Sequence, residues 1–89
     1  MVRLFIRHNV DDYEAWRRGY DEFDEQRKPM GVKDEAVYQS IDDPNDITVW
    51  HDFDSAGEAR ALVASDELRS AMKRAGVQGE PQIWFVEET

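Results

Sequence analysis

The sequence contains no cysteine, and this absence excludes several kinds of chemistry. Without thiols the chain has no disulfide framework, no thiolate metal site and no cysteine nucleophile. It also lacks an apolar run long enough to span a membrane, and its first residues carry no signal-peptide pattern. We therefore expect a cytoplasmic protein that has no membrane partner.

Basic residues are scarce relative to acidic ones. The chain has 11 Lys and Arg residues against 20 Asp and Glu residues, which gives a formal net charge of −9. A surface of that charge repels the phosphates of a nucleic acid, so we expect no nucleic-acid partner. The acidic residues are scattered rather than clustered, which is typical of a well-solvated surface.

The best-known catalytic motifs are absent as well. The sequence has no glycine-rich phosphate loop, and no serine lies in a nucleophile elbow. Only two histidines are present, and no clear third ligand accompanies them, so we expect no metal site. Phosphoryl transfer and serine hydrolysis therefore have no support in the sequence.

The chain is short for a stable hydrophobic core. Its 89 residues make one domain, residues 1–89, and 40% of them are hydrophobic. A chain of this size often gains additional burial from a partner subunit. Length and composition therefore favour association with a second copy.

The first part of the chain reads as a strand that leads directly into a helix. Apolar residues alternate in residues 2–10, the period of a pleated strand. Asp11 and Asp12 then offer acceptors to the first free amides of a helix over residues 12–28. Four aromatic residues recur on one face of this helix at spacings of three and four: Tyr13, Trp16, Tyr20 and Phe23.

The remaining elements complete a β-α-β-β-α-β order. Residues 32–41 and 47–53 read as a hairpin around a dense turn signal, and Ser55 and Ser65 each cap a helical segment. Gly79 to Pro81 read as a turn before a last strand at residues 82–86. This order predicts an α+β, ferredoxin-like fold with a four-stranded antiparallel sheet and both helices on one side. We expect the first and third strands to lie side by side and parallel, and a homodimer to cover the other sheet face.

The two histidines stand in matching positions. His8 and His51 each precede a polar residue, an apolar residue, an aspartate and a helix cap, so we expect them at equivalent heights on the two central strands. One hypothesis makes them a proton-handling catalytic pair, because histidine titrates near neutral pH. The alternative makes them rim residues that are hydrogen-bonded to Asp11 or Asp54.

His8 shares its strand face with Leu4 and Ile6, and His51 shares its own with Val49 and Phe53, so this apolar face is the one expected under the helices. The residues between them form the other face of the sheet. That face carries Arg7, Asn9, Trp50 and Asp52, and a mixture of polar and aromatic side chains is how ligand pockets are lined. These residues are therefore candidates for substrate binding, and Tyr38 and Trp84 are candidate cavity walls. The alternative is a dimer interface with ordinary ion pairs, among them Arg7 to Asp52.

Three segments resemble small bacterial proteins of the dimeric α+β barrel superfamily, in particular those that are antibiotic biosynthesis monooxygenase-like or cyclase-like. The segments are residues 6–16, the turn at residues 42–45, and residues 65–72 with the following Ala75-Gly76-Val77. The resemblance implies two sheets that pack face to face across a homodimer. It also implies a cavity between the sheet and the helices of each protomer.

The superfamily has several activities, among them cofactor-independent oxidation of polyketide quinones and haem degradation. Its haem degraders use an asparagine and a tryptophan on strands, which Asn9 and Trp50 match, and a histidine on the second helix, which is absent here. The resemblance thus implies a homodimer that acts without a cofactor on an apolar or aromatic metabolite. His8 or His51 would be the base, and Asn9 and Trp50 would orient the substrate. The alternative is a non-catalytic binding or structural dimer module.

Overall fold

A four-stranded antiparallel sheet with helices on one face is the centre of the fold. The computed structural model describes all residues, 1–89. Its elements follow in chain order: β1 Val2–Val10, α1 Tyr13–Glu22, α2 Asp24–Arg27, β2 Asp34–Gln39, β3 Asp46–Phe53, α3 Ala56–Ala64, α4 Asp66–Arg74 and β4 Val77–Glu87. This arrangement confirms the predicted α+β, ferredoxin-like plan.

The sheet has the strand order β2-β3-β1-β4, and every neighbouring pair is antiparallel. The prediction that the first and third strands are parallel was wrong. The helical crossover makes β2 parallel to β1 but leaves room for one strand between them. The hairpin then reverses the chain, so β3 fills that space antiparallel to both of its neighbours.

The predicted single helix over residues 12–28 is divided in two. Asp12 caps α1, where its carboxylate accepts the Ala15 amide at 3.0 Å, as expected. The helix is interrupted at Phe23, after which come α2 and a 3₁₀ turn at Lys28–Met30 that ends at Gly31. Gly31 has a φ of 106°, a left-handed conformation that glycine adopts without steric cost.

The second helical region follows its capping signals. The Ser55 hydroxyl accepts the amide of Glu58, and the Ser65 hydroxyl accepts the amide of Leu68, each at 3.2 Å. These two caps divide the region into α3 and α4, as the sequence predicts.

The last strand is longer than predicted, because the expected turn is a bulge within it. The pairing of β1 with β4 shifts register between Arg7 and Asn9, opposite residues 79–81. Gly79 takes a φ of 63° there. Since β4 pairs only with β1, it is an edge strand, which tolerates the missing amide of Pro81.

The core lies between the helices and the inner face of the sheet. Both central strands bury their alternate residues there, and the helices add aromatic and small side chains. The members with the lowest exposure are Leu4, Ile6, Ile47, Phe53, Ala59 and Leu62. His8 and His51 share this face, because each lies an even number of residues away from the buried apolar residues of its own strand.

The other side of the sheet has no helix over it, and we call it the open sheet face. Its central row places Trp50 beside Phe5 and Phe5 beside Trp84, with the last two rings stacked at 5.2 Å. Two ion pairs flank the row, Arg3–Asp52 at 2.8 Å and Arg7–Asp46 at 2.7 Å. The predicted pairing of Arg7 with Asp52 is wrong, because the register sets Arg3 directly opposite Asp52.

The helices are short and carry charged faces. None of them has the length and apolar character needed to cross a bilayer. Their inner sides instead pack on the sheet, while charged residues such as Glu22 and Arg74 are exposed.

The core predicts a large difference between two chemically identical substitutions. Ile47 is fully buried, whereas Ile41 is 100% exposed. Ile47→Ala should lower the free energy of unfolding by about 2–5 kcal/mol, because it leaves a cavity. Ile41→Ala, the matched control, should change it by less than about 0.5 kcal/mol. Urea denaturation at one protein concentration measures both, and equal losses would contradict this account of the core.

Candidate functional site

A narrow cavity lies between the inner face of the sheet and the helices α1 and α4. Its volume is about 40 Å³, and 9 of its 13 lining residues are hydrophobic. The sheet contributes Ile6, His8, Val49 and His51, and the helical region contributes the other nine: Trp16, Gly19, Tyr20, Phe23, Arg27, Leu68, Ala71, Met72 and Ala75. Both histidines therefore line one mostly apolar space.

The two histidines face this cavity from opposite ends. Ile6 pairs with Val49 at the middle of the central strands, and each histidine lies two residues beyond its own member of that pair. His8 is opposite Ile47 and His51 is opposite Leu4. At the rise of a strand this separates the imidazoles by roughly 13 Å along the sheet. The expectation of equivalent heights was wrong because the strands are antiparallel.

The hydrogen bonds of His51 determine its tautomer. Its Nε2 lies 3.0 Å from the Tyr20 hydroxyl, and that hydroxyl donates its only proton to the Glu35 carboxylate at 3.1 Å. With that proton directed to Glu35, Nε2 is assigned a proton of its own, which it donates to the Tyr20 oxygen. The lone pair on the ring consequently resides on Nδ1, which is buried and has no partner.

A buried arginine lies beside this group. Arg27 is 2% exposed, and it donates to the Tyr20 carbonyl at 2.6 Å and to Glu35 at 3.3 Å. Its guanidinium also lies 3.7 Å from the centre of the Tyr20 ring, a cation–π contact. Arg27 thus holds both the residue that bonds His51 and the carboxylate that sets the proton direction.

Burial shifts the proton affinities in this cluster. Burial and the nearby charge of Arg27 lower the pKa of His51 to about 4. Burial, assisted by the charge of Glu35 against the opposing charge of Arg27, raises the pKa of Tyr20 above its usual range. Both side chains are therefore neutral at pH 7, and His51 is a free proton acceptor there.

His8 occupies a more apolar place. Its ring meets Trp16 edge-on at 5.6 Å, its Nδ1 has no hydrogen-bond partner, and burial lowers its pKa. The alternative hypothesis, that the histidines are rim residues hydrogen-bonded to Asp11 or Asp54, is wrong. Asp11 accepts a hydrogen bond from Gln78, and Asp54 pairs with Lys33.

The predicted substrate-binding residues lie away from the histidines. All six belong to the open sheet face: Arg7, Asn9, Tyr38, Trp50, Asp52 and Trp84. The Trp50 indole donates to the Tyr38 hydroxyl at 3.3 Å, and Arg3 covers the Trp50 ring at 3.7 Å. The sheet therefore separates this group from the cavity, and substrate binding by it would require a second site.

Sequence reasoning missed the roles of Arg27 and Glu35. From its position alone, Arg27 is a favourable positive charge near the end of a helix, and Glu35 is an acidic residue near the start of a strand. Their contact depends on the tertiary placement of α2 against β2, and no local spacing encodes it. An ion pair between a helix end and a strand edge cannot be predicted until the fold is known.

No three His, Cys, Asp or Glu side chains come together as a bound metal ion would require.

The similarity of this chain to known proteins is structural. No family model matches the sequence, and no curated protein matches it either. Solved structures are similar over nearly the whole chain. A protein from Bordetella bronchiseptica assigned to the antibiotic biosynthesis monooxygenases has a TM-score of 0.84 at 14% identity, covering 99% of this chain and 96% of its own.

Two further structures have the same fold. SnoaB, a cofactor-independent oxygenase from Streptomyces nogalater, has a TM-score of 0.76 at 12% identity, with 99% of this chain and 94% of SnoaB covered. A protein from Nitrosomonas europaea, assigned to the antibiotic biosynthesis monooxygenases, has a TM-score of 0.76 at 18% identity, with 99% and 98% covered. This chain therefore has the ferredoxin-like α+β fold of the antibiotic biosynthesis monooxygenase-like proteins.

Proposed function

We propose that this protein binds an apolar, aromatic metabolite in the cavity between sheet and helices and oxidises it without a cofactor. The observation that carries the proposal is a buried, neutral imidazole, His51, with an unpartnered Nδ1 in a mostly apolar cavity. Nδ1 removes a proton from an acidic CH₂ group of the ligand, and the resulting carbanion adds to dioxygen. The hydroperoxide that forms loses water, so CH₂ and O₂ become a carbonyl and H₂O.

His51 is the better candidate for the base, and His8 is the second. The Tyr20 hydroxyl holds the His51 ring through Nε2, which favours the tautomer with the lone pair on Nδ1. A base with a pKa near 4 is weak, which restricts the substrate to one whose C–H is already acidic, such as an anthrone. SnoaB, whose fold this chain shares, supports the reaction class.

The cavity must widen before it holds such a ligand. A space of about 40 Å³ accommodates only a few waters, whereas a cavity that binds benzene measures about 150 Å³. The helical wall contains Gly19, Ala71 and Ala75, whose small side chains offer little resistance to separation, and Met72, which is adaptable. The small volume is also the observation that favours the alternative, a non-catalytic structural or binding module.

We further propose that two copies associate through their open sheet faces. Tyr38 is 54% exposed and Trp84 and Val86 are each 41% exposed, beside the stacked pair of Phe5 and Trp84. Aromatic side chains with arginines among them are typical of interface cores. In this proposal Arg7, Asn9 and Trp50 belong to the interface.

The cytoplasmic location stays a prediction.

The histidine mechanism predicts a loss of turnover with little loss of binding. Anthrone serves as the probe, with dioxygen uptake measured for turnover and calorimetry for affinity. His51→Ala should lower kcat by at least about 100-fold, while the Kd for anthrone changes less than about threefold. His8→Ala is the matched control, and it should retain more than half of the wild-type kcat. Full turnover in both variants would overturn the histidine mechanism, and binding without dioxygen uptake by the wild type would leave the binding module as the better description.

The lowered pKa of His51 predicts a defined dependence of stability on pH. The unfolded chain binds the proton near pH 6.5 and the folded chain only near pH 4, so stability falls as pH drops through that interval. Protonation of His51 lowers the free energy of unfolding by about 3 kcal/mol in total, and this decrease is complete below pH 4. Urea denaturation of the wild type and of His51→Gln from pH 7 to 4 measures it as the difference between the two curves. Parallel curves would disprove the lowered pKa.

The dimer proposal is tested on the open sheet face. Trp84→Glu places a charge in the proposed interface and should raise the dimer dissociation constant at least tenfold, measured by sedimentation equilibrium. Ala61→Glu adds the same charge on the exposed side of α3, and it should leave association unchanged. If the wild type sediments as a monomer, or if Ala61→Glu dissociates it equally, the interface lies elsewhere.

A further inference from the structure

A second concavity lies directly outside the cavity, in the groove between α1 and α4. Its volume is about 330 Å³, and it shares four lining residues with the cavity: Gly19, Phe23, Ala71 and Ala75. The shared residues form the wall between the two spaces. The groove is therefore the outer part of the site that we propose for the ligand.

The wall is thin where the helices meet. A Cβ atom added at Gly19 would lie 3.0 Å from the Cβ of Ala75, so the two helices touch through a glycine and a methyl group. No large side chain fills this contact. A small separation of α1 from α4 therefore joins the groove to the cavity.

The polar residues of the groove carry a net positive charge. Arg18 and Arg74 line it together with Glu22 and Gln26, which gives two cations, one anion and one amide. Neither Arg18 nor Arg74 forms an ion pair or a side-chain hydrogen bond. The surplus of one positive charge stands out in a chain whose net charge is −9.

Five other arginines of the chain form ion pairs, and Arg60, which forms none, lies over the Phe85 ring at 4.8 Å. Arg3, Arg7 and Arg17 each pair with an aspartate, at distances of 2.8 Å, 2.7 Å and 3.2 Å. The two arginines of the groove thus keep their donors free at the opening of an apolar space. A guanidinium presents its donors in a planar fork that matches a carboxylate.

The inner cavity supplies an independent sign that a ligand belongs there. Three side chains that line it each have a buried polar atom without a hydrogen-bond partner: His8 Nδ1, His51 Nδ1 and Arg27 Nε. Each belongs to a side chain that is at least nine-tenths buried, and leaving such an atom unpaired costs free energy. An aromatic ring that carries a carbonyl or hydroxyl group would offer these atoms partners.

We propose that the ligand is an aromatic monocarboxylate whose ring lies in the cavity and whose carboxylate lies in the groove between Arg18 and Arg74. This inference rests on the proposed function, since it takes the same cavity as the ligand site. A single negative charge fits the single surplus positive charge of the groove. Glu22 repels a second charge, which disfavours phosphates and dicarboxylates.

The test compares two probes of equal shape and different charge, 2-naphthoate and 2-naphthamide, by calorimetry. The wild type should bind 2-naphthoate at least tenfold more tightly than 2-naphthamide. In Arg18→Gln/Arg74→Gln this preference should fall below twofold, while the affinity for 2-naphthamide stays the same. Lys73→Gln removes the same charge from the neighbouring position of α4, outside the groove, and should keep the preference.

The outcomes separate the two proposals. Equal binding of both probes by the wild type, or a preference that survives the double substitution, overturns the carboxylate site and leaves the cavity proposal standing. A preference that Lys73→Gln abolishes equally reveals general charge attraction and also overturns it. Binding of neither probe overturns both proposals, because the cavity then takes no aromatic ligand.

Discussion

The antiparallel pairing of β1 with β3 decides where every functional group of this molecule lies. Ile6 and Val49 face each other at the middle of the two strands, and the register continues from them in both directions. Because side chains alternate between faces, one register places both histidines under the helices and the aromatic row on the other side. A slip of one residue would exchange the two sets and leave the core polar.

Burial of Arg27 is the most demanding feature of the site. A charged group at 2% exposure is tolerated only when its donors are satisfied and a counter-charge is near. The Tyr20 carbonyl, Asp24 and Glu35 provide this, yet Nε remains without a partner. The same contacts immobilise the Tyr20 hydroxyl beside His51. Structural support and the chemistry of the imidazole therefore depend on one cluster.

The sequence was sufficient for the fold and only partly sufficient for the site. Alternation and capping signals are local, so strands, helices and the buried face of His8 and His51 could be predicted. The strand direction and the bulge at Gly79 could not, because they depend on which strands become neighbours. The partners of Arg27 are non-local for the same reason. The alternation of side chains along each strand assigned residues to the correct face of the sheet, but it could not show which face encloses a cavity.

The bulge in β4 affects how copies of this chain can meet. An uninterrupted edge strand would accept another strand and allow the sheet to grow from molecule to molecule. Pro81 removes one donor from this edge, and the bulge bends it away from a straight ladder. At the far edge, β2 presents Asp34 and Glu35 near its beginning. Both ends of the sheet are thus protected against fibre-like growth, and contact between flat surfaces is the route left open.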